Sequence, residues 1–238
     1  MKTEGRNAVL ELLKTEKPIE KLLIEKGAQG SLSVIFALAR KKGIRVQFVE
    51  RAALDRMSTE KRHQGVIAFA AEYEYADFFE ITGGENSLVI LCDGVEDVHN
   101  LGSIIRVAEC AGADGVVIPN SKGASVTEAV VRISAGAAEH MKVAKVPSIN
   151  YAVEELKKRG YWVYALEAGG ESIYETNLTG KIALVVGGED SGVKRLTKER
   201  CDKVLSLPLL GKVNSLNASV ALGIAAYEVV RARIASGK

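Results

Sequence analysis

The chain has few of the residues that staple or break a small fold: three cysteines, four prolines and one tryptophan in 238 residues. Cys92, Cys110 and Cys201 are far apart, odd in number and without a CxxC pairing, so neither a disulfide framework nor a zinc site is indicated. Buried reduced thiols and no metal are expected. No run of about eighteen apolar residues occurs, and the opening Met1-Lys-Thr-Glu-Gly-Arg6 lacks a basic stretch followed by a signal-type apolar segment. A soluble cytoplasmic protein with no membrane partner is the expectation. Neither G-x-G-x-x-G nor G-x-x-x-x-G-K-[ST] is present, which removes the standard dinucleotide fingerprint and the Walker phosphate loop. The formal charge of +2 is too small to identify a nucleic-acid partner, so local patches must carry that argument.

What is present is an apolar content of 47%, enough to bury a sizeable core in one or two domains. The patterning predicts helices over 5–14, 31–42 and 51–57, with Ser31 as a cap and Gly43 as a stop. Strands are predicted over 21–25, 44–49 and 65–70. Residues 1–76 therefore read as a small α/β unit. A linker follows over 77–86, overlapping the polar and aromatic stretch from Glu72 to Gly84.

From 87 to 238 the alternation is more regular. Strands are predicted over 88–92, 115–118, 142–146, 161–166, 182–186 and 204–207, and helices over 100–112, 125–132 and 150–159. A last helix begins near Ser215 and carries Leu216, Val220, Ile224 and Tyr227 at three- and four-residue spacing. Runs such as Ile182-Ala-Leu-Val-Val186 are apolar throughout, as expected of strands with helices on both faces. The fold class is α/β with a mostly parallel carboxyl-terminal sheet.

Three polar loops follow apolar strands in that part. Leu91-Cys-Asp-Gly-Val-Glu-Asp-Val-His-Asn-Leu-Gly-Ser-Ile-Ile-Arg106 is a strand, turn and helix that fixes Asn100 and an inward-facing Arg106 near the mouth of the sheet, where open α/β folds place ligands. Val185-Val-Gly-Gly-Glu-Asp-Ser-Gly-Val193 ends a buried strand in glycines, which let a ligand approach the backbone, and sets a carboxylate at the turn. Leu205-Ser-Leu-Pro-Leu-Leu-Gly-Lys-Val-Asn-Ser-Leu-Asn-Ala-Ser-Val220 supplies Asn214 and Ser215 as N-cap candidates. Capping does not account for the whole cluster of Asn214, Ser215, Asn217 and Ser219, which lowers helix propensity in the first turns. Any one of these loops could be structural; three together favour a joint site.

In order and spacing, these three segments resemble the motifs of the SpoU/TrmH RNA 2'-O-ribose methyltransferases across residues 87–236. Residues 5–75 more weakly resemble the small substrate-binding domain of the RlmB-like branch, which is related to ribosomal proteins that bind kinked RNA. The resemblance implies S-adenosylmethionine as methyl donor, a deep trefoil knot in the carboxyl-terminal domain, and a homodimer. It carries Gly187, Leu207 and Leu216 over as cofactor contacts, and Asn100, Arg106, Glu189, Ser215 and Asn217 as the catalytic set. The planar donor fork of Arg106 suits a phosphate. The family's proposal of this arginine as general base conflicts with a guanidinium pKa above about 12. Asn100 would orient the ribose or Arg106, Glu189 would fix Arg106 or its own loop, and Ser215 and Asn217 would complete the hydroxyl-facing shell. No metal is needed.

The implied substrate is structured RNA: a guanosine of 23S ribosomal RNA, or alternatively transfer RNA. A noncatalytic RNA-binding knotted dimer is a competing reading, opposed by the intact motif residues. A nucleotide-dependent oxidoreductase is a third, opposed by the missing fingerprint. Residues 1–80 hold fourteen Lys/Arg against twelve Asp/Glu, grouped at Arg40-Lys-Lys42 with Arg45 and at Arg56, Lys61 and Arg62 beside His63. The second group is slightly favoured for RNA contact. Tyr73, Tyr75, Phe78 and Phe79 are expected to pack at the junction rather than stack on bases, and His99 is expected to face solvent rather than act as a base.

Overall fold

The computed structural model describes residues 2–15, 19–27, 29–58, 61–70, 73–189 and 191–237. By the density of internal packing the chain forms two units, Met1–Glu74 with Val126–His140, and Tyr75–Ser125 with Met141–Lys238. Residues 126–140 lie between two strands of the second unit in sequence and group with the first in space. Among the described residues, no helix is long and apolar enough to cross a membrane.

The first unit runs β1 (Lys2–Glu4), α1 (Arg6–Lys14), β2 (Ile19–Glu25), α2 (Ser31–Lys41), β3 (Val46–Val49), α3 (Arg51–Met57) and β4 (Val66–Ala70). Its sheet has the order β1-β4-β2-β3, with β2 and β3 parallel and β4 antiparallel to both its neighbours. Alternation sorts its side chains to two faces. Leu22, Ile24, Val66 and Ala68 pack with Val9 and Leu12 of α1 and Ile35 of α2, whereas Leu23 and Ile67 pack with Leu54 of α3. Strand β1 was not legible beforehand, because Lys-Thr-Glu has no apolar residue. Its buried Glu4 instead accepts a hydrogen bond from Ser58 Oγ and forms an ion pair with Lys2 Nζ at 3.0 Å.

His63 is fully buried. Its Nε2 lies 3.1 Å from Asp55 Oδ1, and its Nδ1 accepts a hydrogen bond from Gly65 N at 3.0 Å. An imidazole that accepts at Nδ1 carries a proton on Nε2, which here points at Asp55. It anchors the approach to β4 from inside the unit, whereas Arg56, Lys61 and Arg62, its neighbours in that group, are exposed.

The second unit contains β5 (Leu88–Asp93), α4 (Val98–Cys110), β6 (Gly115–Pro119), β7 (Val143–Val146), α6 (Ile149–Lys158), β8 (Trp162–Ser172), β9 (Ile182–Gly187), α7 (Arg195–Arg200), β10 (Lys203–Ser206) and α8 (Ala218–Ala235). The helix α5 (Glu128–Ile133), in residues 126–140, is the one that joins the first unit. The sheet is parallel throughout, in the order β10-β8-β9-β5-β6-β7. Val89, Leu91, Val117, Ala183 and Val185 form one face and pack with Ile149, Val153 and Leu156 of α6. The alternate residues Leu88, Ile90, Val116, Ile182 and Leu184 are also buried and face the other way. Helix α8 packs on α4 and on β9. Phe78 joins the α6 face, in line with a packing role at the junction; Glu72, in the same stretch, lies outside the described residues.

The thiols differ from one another. Cys92 is buried at the end of β5, and desolvation followed by the neighbouring Asp93 charge pushes its pKa up to about 12. Burial, then Asp202, does the same for Cys201. Cys110 is exposed at the end of α4, contrary to the expectation of three buried thiols.

Candidate active site

The chain runs outward from β5 through β6 to β7, then returns across the sheet to β8, and β9 inserts between β8 and β5. The direction of travel therefore reverses at β5 and β9, the position at which parallel sheets hold ligands. These two strands are in register to their ends, with Asp93 opposite Gly187. Buried Asp93 accepts hydrogen bonds from Lys194 N and Lys194 Nζ, both at 3.0 Å, and so ties the end of β5 to the loop after β9. The ammonium is half exposed and adds little; the backbone bond carries the tie.

The glycines of the second motif answer to the protein's own backbone. A Cβ at Gly187 would overlap the carbonyl of Gly192, and one at Gly188 would overlap the carbonyl oxygen of Gly94. Gly192 N donates to Gly188 O at 2.9 Å, which closes the turn. Asp190, within it, lies outside the described residues.

Beside this turn β8 leaves its regular course. Val204 of β10 pairs with Ala165, and the next residue, Leu205, pairs with Glu171. The intervening residues 166–170 bow outward, helped by the positive φ of Gly169 and held by Ser206 Oγ donating to Gly170 O at 2.8 Å. A cavity of about 290 Å³ opens between this bow, the 187–192 turn and the segment 205–221. Leu166, Leu205, Leu207, Leu209 and Leu216 supply its apolar walls, and Glu167 and Glu189 its formal charges.

The polar cluster at this cavity centres on Asn217, the N-cap of α8. Its Oδ1 accepts from Ser219 N at 3.0 Å, Ser219 Oγ at 2.6 Å and Val220 N at 3.4 Å. Its Nδ2 donates to Asn100 Oδ1 at 2.9 Å and to Glu189 Oε1 at 2.6 Å. One amide thus satisfies a helix terminus with its oxygen and joins the first and second motif loops with its nitrogen. Asn100 is itself placed by Asp97, the N-cap of α4, which accepts from the backbone N–H of His99 at 2.6 Å and of Asn100 at 3.0 Å.

The structure brings together Gly187, Leu207, Leu216, Glu189 and Ser215 in the cavity wall, and joins Asn100 to Glu189 through Asn217. The capping expectation is corrected: α8 begins at Ala218, and Asn217 rather than Asn214 or Ser215 caps it. Arg106 is exposed rather than inward-facing, and it forms no hydrogen bond or ion pair among the described residues. Six residues along α4 from Asn100, it is turned about 120° away around the helix. His99 faces solvent. Sequence reasoning missed Glu167; the Gly169-Gly170 pair at the end of an apolar strand run was the available signal.

Residues 87–227 match the SpoU rRNA Methylase family, and residues 3–76 match the RNA 2'-O ribose methyltransferase substrate binding family. The chain belongs to the SpoU/TrmH family of RNA methyltransferases. YacO of Bacillus subtilis, placed in the TrmH family of tRNA/rRNA methyltransferases, is 43% identical over 237 residues, covering 96% of this chain and 94% of its own. The SpoU methyltransferase AviRb of Streptomyces viridochromogenes, solved in complex with AdoMet, superposes with a TM-score of 0.86 at 24% identity over 99% of this chain and 91% of its own. That likeness is one of fold. The TrmH/SpoU tRNA modifying enzyme of A. aeolicus gives a TM-score of 0.58 at 29% identity over 67% of this chain and 81% of its own.

Asn217→Ser separates the two functions of this amide, because serine caps a helix about as well as asparagine but does not reach two loops. Its melting temperature should stay near wild type. Methyl transfer to RNA should fall by roughly tenfold or more, the worth of a hydrogen bond to a charged group. Asn217→Ala should lose activity together with about 1 kcal/mol of stability, read by denaturant titration.

Proposed function

We propose that this chain transfers a methyl group from S-adenosylmethionine to a ribose 2'-hydroxyl of structured RNA, with a guanosine of 23S ribosomal RNA as the target and transfer RNA as the alternative. The observation that carries this reading is the Asn100–Asn217–Glu189 cluster set against a leucine-walled cavity at the reversal point of the sheet. That cavity fits the donor: its walls are apolar, the glycine turn presents backbone groups, and its charged side chains are acidic while the donor is cationic. Gly187, Leu207 and Leu216 would hold the adenosine. Bound there, the donor supplies a methyl group on a sulfonium sulfur.

The remaining chemistry falls to the chain's own residues. The acceptor oxygen must be presented in line with the methyl group, and the adjoining phosphate must be held. Asn100 and Ser215 orient the hydroxyl, and Asn217 keeps Asn100 and Glu189 in one arrangement. Arg106 is exposed and faces away from Asn100 on α4, so the phosphate that its planar fork would clamp lies outside the donor cavity of its own chain. A guanidinium does not give up its proton in proteins, which leaves Glu189, the carboxylate joined to Asn100 through Asn217, to take the hydroxyl proton.

We assign the domains as residues 1–76 for RNA binding, 77–86 as linker and 87–238 for methyl transfer, in the RlmB-like arrangement and in the cytoplasm, where these RNAs are found. The common cavity of the 187–192 turn and the 205–221 segment supports a trefoil threading of this region. A homodimer is supported by α8, which is apolar on two sides. Leu222, Ala225, Ala226 and Val229 are buried, whereas Val220, Ile224, Tyr227 and Ile234 are exposed at helical spacing, as are Leu210 and Val213 in the loop that precedes the helix. An exposed apolar stripe on a second side of a helix marks a surface for association.

Incubation with donor labelled at the methyl group and total RNA, followed by mapping of the product, should place one 2'-O-methylribose in ribosomal RNA. No RNA labelling would refute the reading, and label in transfer RNA would select the alternative. Arg106→Ala should abolish labelling and leave donor affinity within about twofold, since an exposed charge away from the cavity contributes little to it. Light scattering should give twice the chain mass for the wild type. Tyr227→Glu should shift it to the single-chain mass by placing a charge in the apolar contact.

A further inference from the structure

We infer that Glu167 makes the donor cavity discriminate by charge, favouring the cationic methyl donor over its neutral demethylated product. The inference rests on the proposed use of S-adenosylmethionine.

The charged side chains in the described cavity wall are both carboxylates, Glu167 from the bow of β8 and Glu189 from the second motif. Glu189 is already engaged by Asn217. Glu167 is held differently: its Oε2 accepts the backbone N–H of Val193 at 2.9 Å, at the end of the glycine turn. The register jump between β8 and β10 presents it, because residues 166–170 leave the strand pairing there. Gly192, at φ +58°, lies opposite it, and a Cβ there would come within 2.6 Å of Glu167 Oε1 and displace the carboxylate. Among the described residues its ion-pair partner is Lys198, whose Nζ is 3.8 Å from Oε2, the oxygen that also accepts from Val193 N. Lys194 is paired with Asp93 and Arg106 is exposed elsewhere, so neither offsets the carboxylate inside the cavity.

Loss of the methyl group turns a sulfonium into a thioether. Donor and product then share the adenosine, the ammonium and the carboxylate, and differ by one positive charge beside the methyl position. A fixed carboxylate in a leucine-walled cavity favours the charged partner through a Coulomb term larger than in bulk water. Binding of the donor is strengthened and release of the spent product is eased. Glu167 is thereby a specificity residue for the donor, in addition to pinning the turn.

Glu167→Gln separates these roles, because the amide oxygen still accepts from Val193 N while the charge is gone. Calorimetry with S-adenosylmethionine and with S-adenosylhomocysteine on the purified full chain gives the ratio of the two dissociation constants. The substitution should weaken donor binding about fivefold with product binding nearly unchanged, so that the ratio moves about fivefold toward the product. An analogue bearing an ammonium in place of the sulfonium should follow the donor. Lys198→Gln, which removes the neighbouring cation and retains the carboxylate, should move the ratio the opposite way and serves as an independent variant if the glutamine form does not fold. An unchanged ratio, or equal weakening of both ligands, would overturn the inference and leave Glu167 as a pin for the turn. A wild-type protein that binds neither ligand would instead overturn the proposed donor.

Discussion

The side-chain amide of Asn217 is the contact on which the rest of this site depends. Its oxygen closes the free amino terminus of an eighteen-residue helix, and its nitrogen joins two loops that descend from adjacent strands. An amide can do both because donor and acceptor sit on opposite corners of one planar group. The helix therefore cannot form its native start without setting the position of Asn217, and Asn217 in turn sets the separation of Asn100 and Glu189. Folding energy and site geometry are coupled at a single residue.

Around this node the sheet supplies the frame. Register between β5 and β9 brings Asp93 beside Gly187, and Asp93 secures the far end of the second loop through Lys194 N. On the opposite side the bow in β8 brings up Glu167, which secures Val193 one residue earlier. Two carboxylates from two strands thus grip consecutive backbone N–H groups of the same loop. Its glycines permit the close packing that results, and the cavity is the space left between this loop, the bow and the chain leading into α8.

Much of this was legible in the sequence where one physical signal dominated. The continuous apolar runs of β5, β6 and β9 marked a parallel sheet, and helix α3 was placed at 51–57 by spacing alone. The three motif loops were recognisable from glycine, asparagine and glutamate at strand ends, and the family was recognisable from their order. Signals that depend on tertiary partners were not legible. Strand β1 is polar and owes its burial to Lys2 and Ser58. Residues 126–140 carry an ordinary helical pattern that says nothing about which unit they join. The choice of Asn217 over Asn214 and Ser215 as cap is fixed by Asn100 and Glu189, which are distant in sequence. Arg106 read as inward because it follows a buried stretch, yet its angular position on α4 places it in solvent. The function of Glu167 comes from a register jump between two strands that no local pattern encodes.

The central claim is that Asn100 and Glu189 act as one unit through the amide between them, and a double-mutant cycle tests it most directly. Methyl transfer to RNA would be measured as kcat/KM for the wild type, Asn100→Ala, Glu189→Gln and the double variant. Residues that work as a unit give strongly non-additive losses, so the double variant should be little worse than the poorer single one. Losses that simply multiply would show that the two residues act independently and would contradict the account.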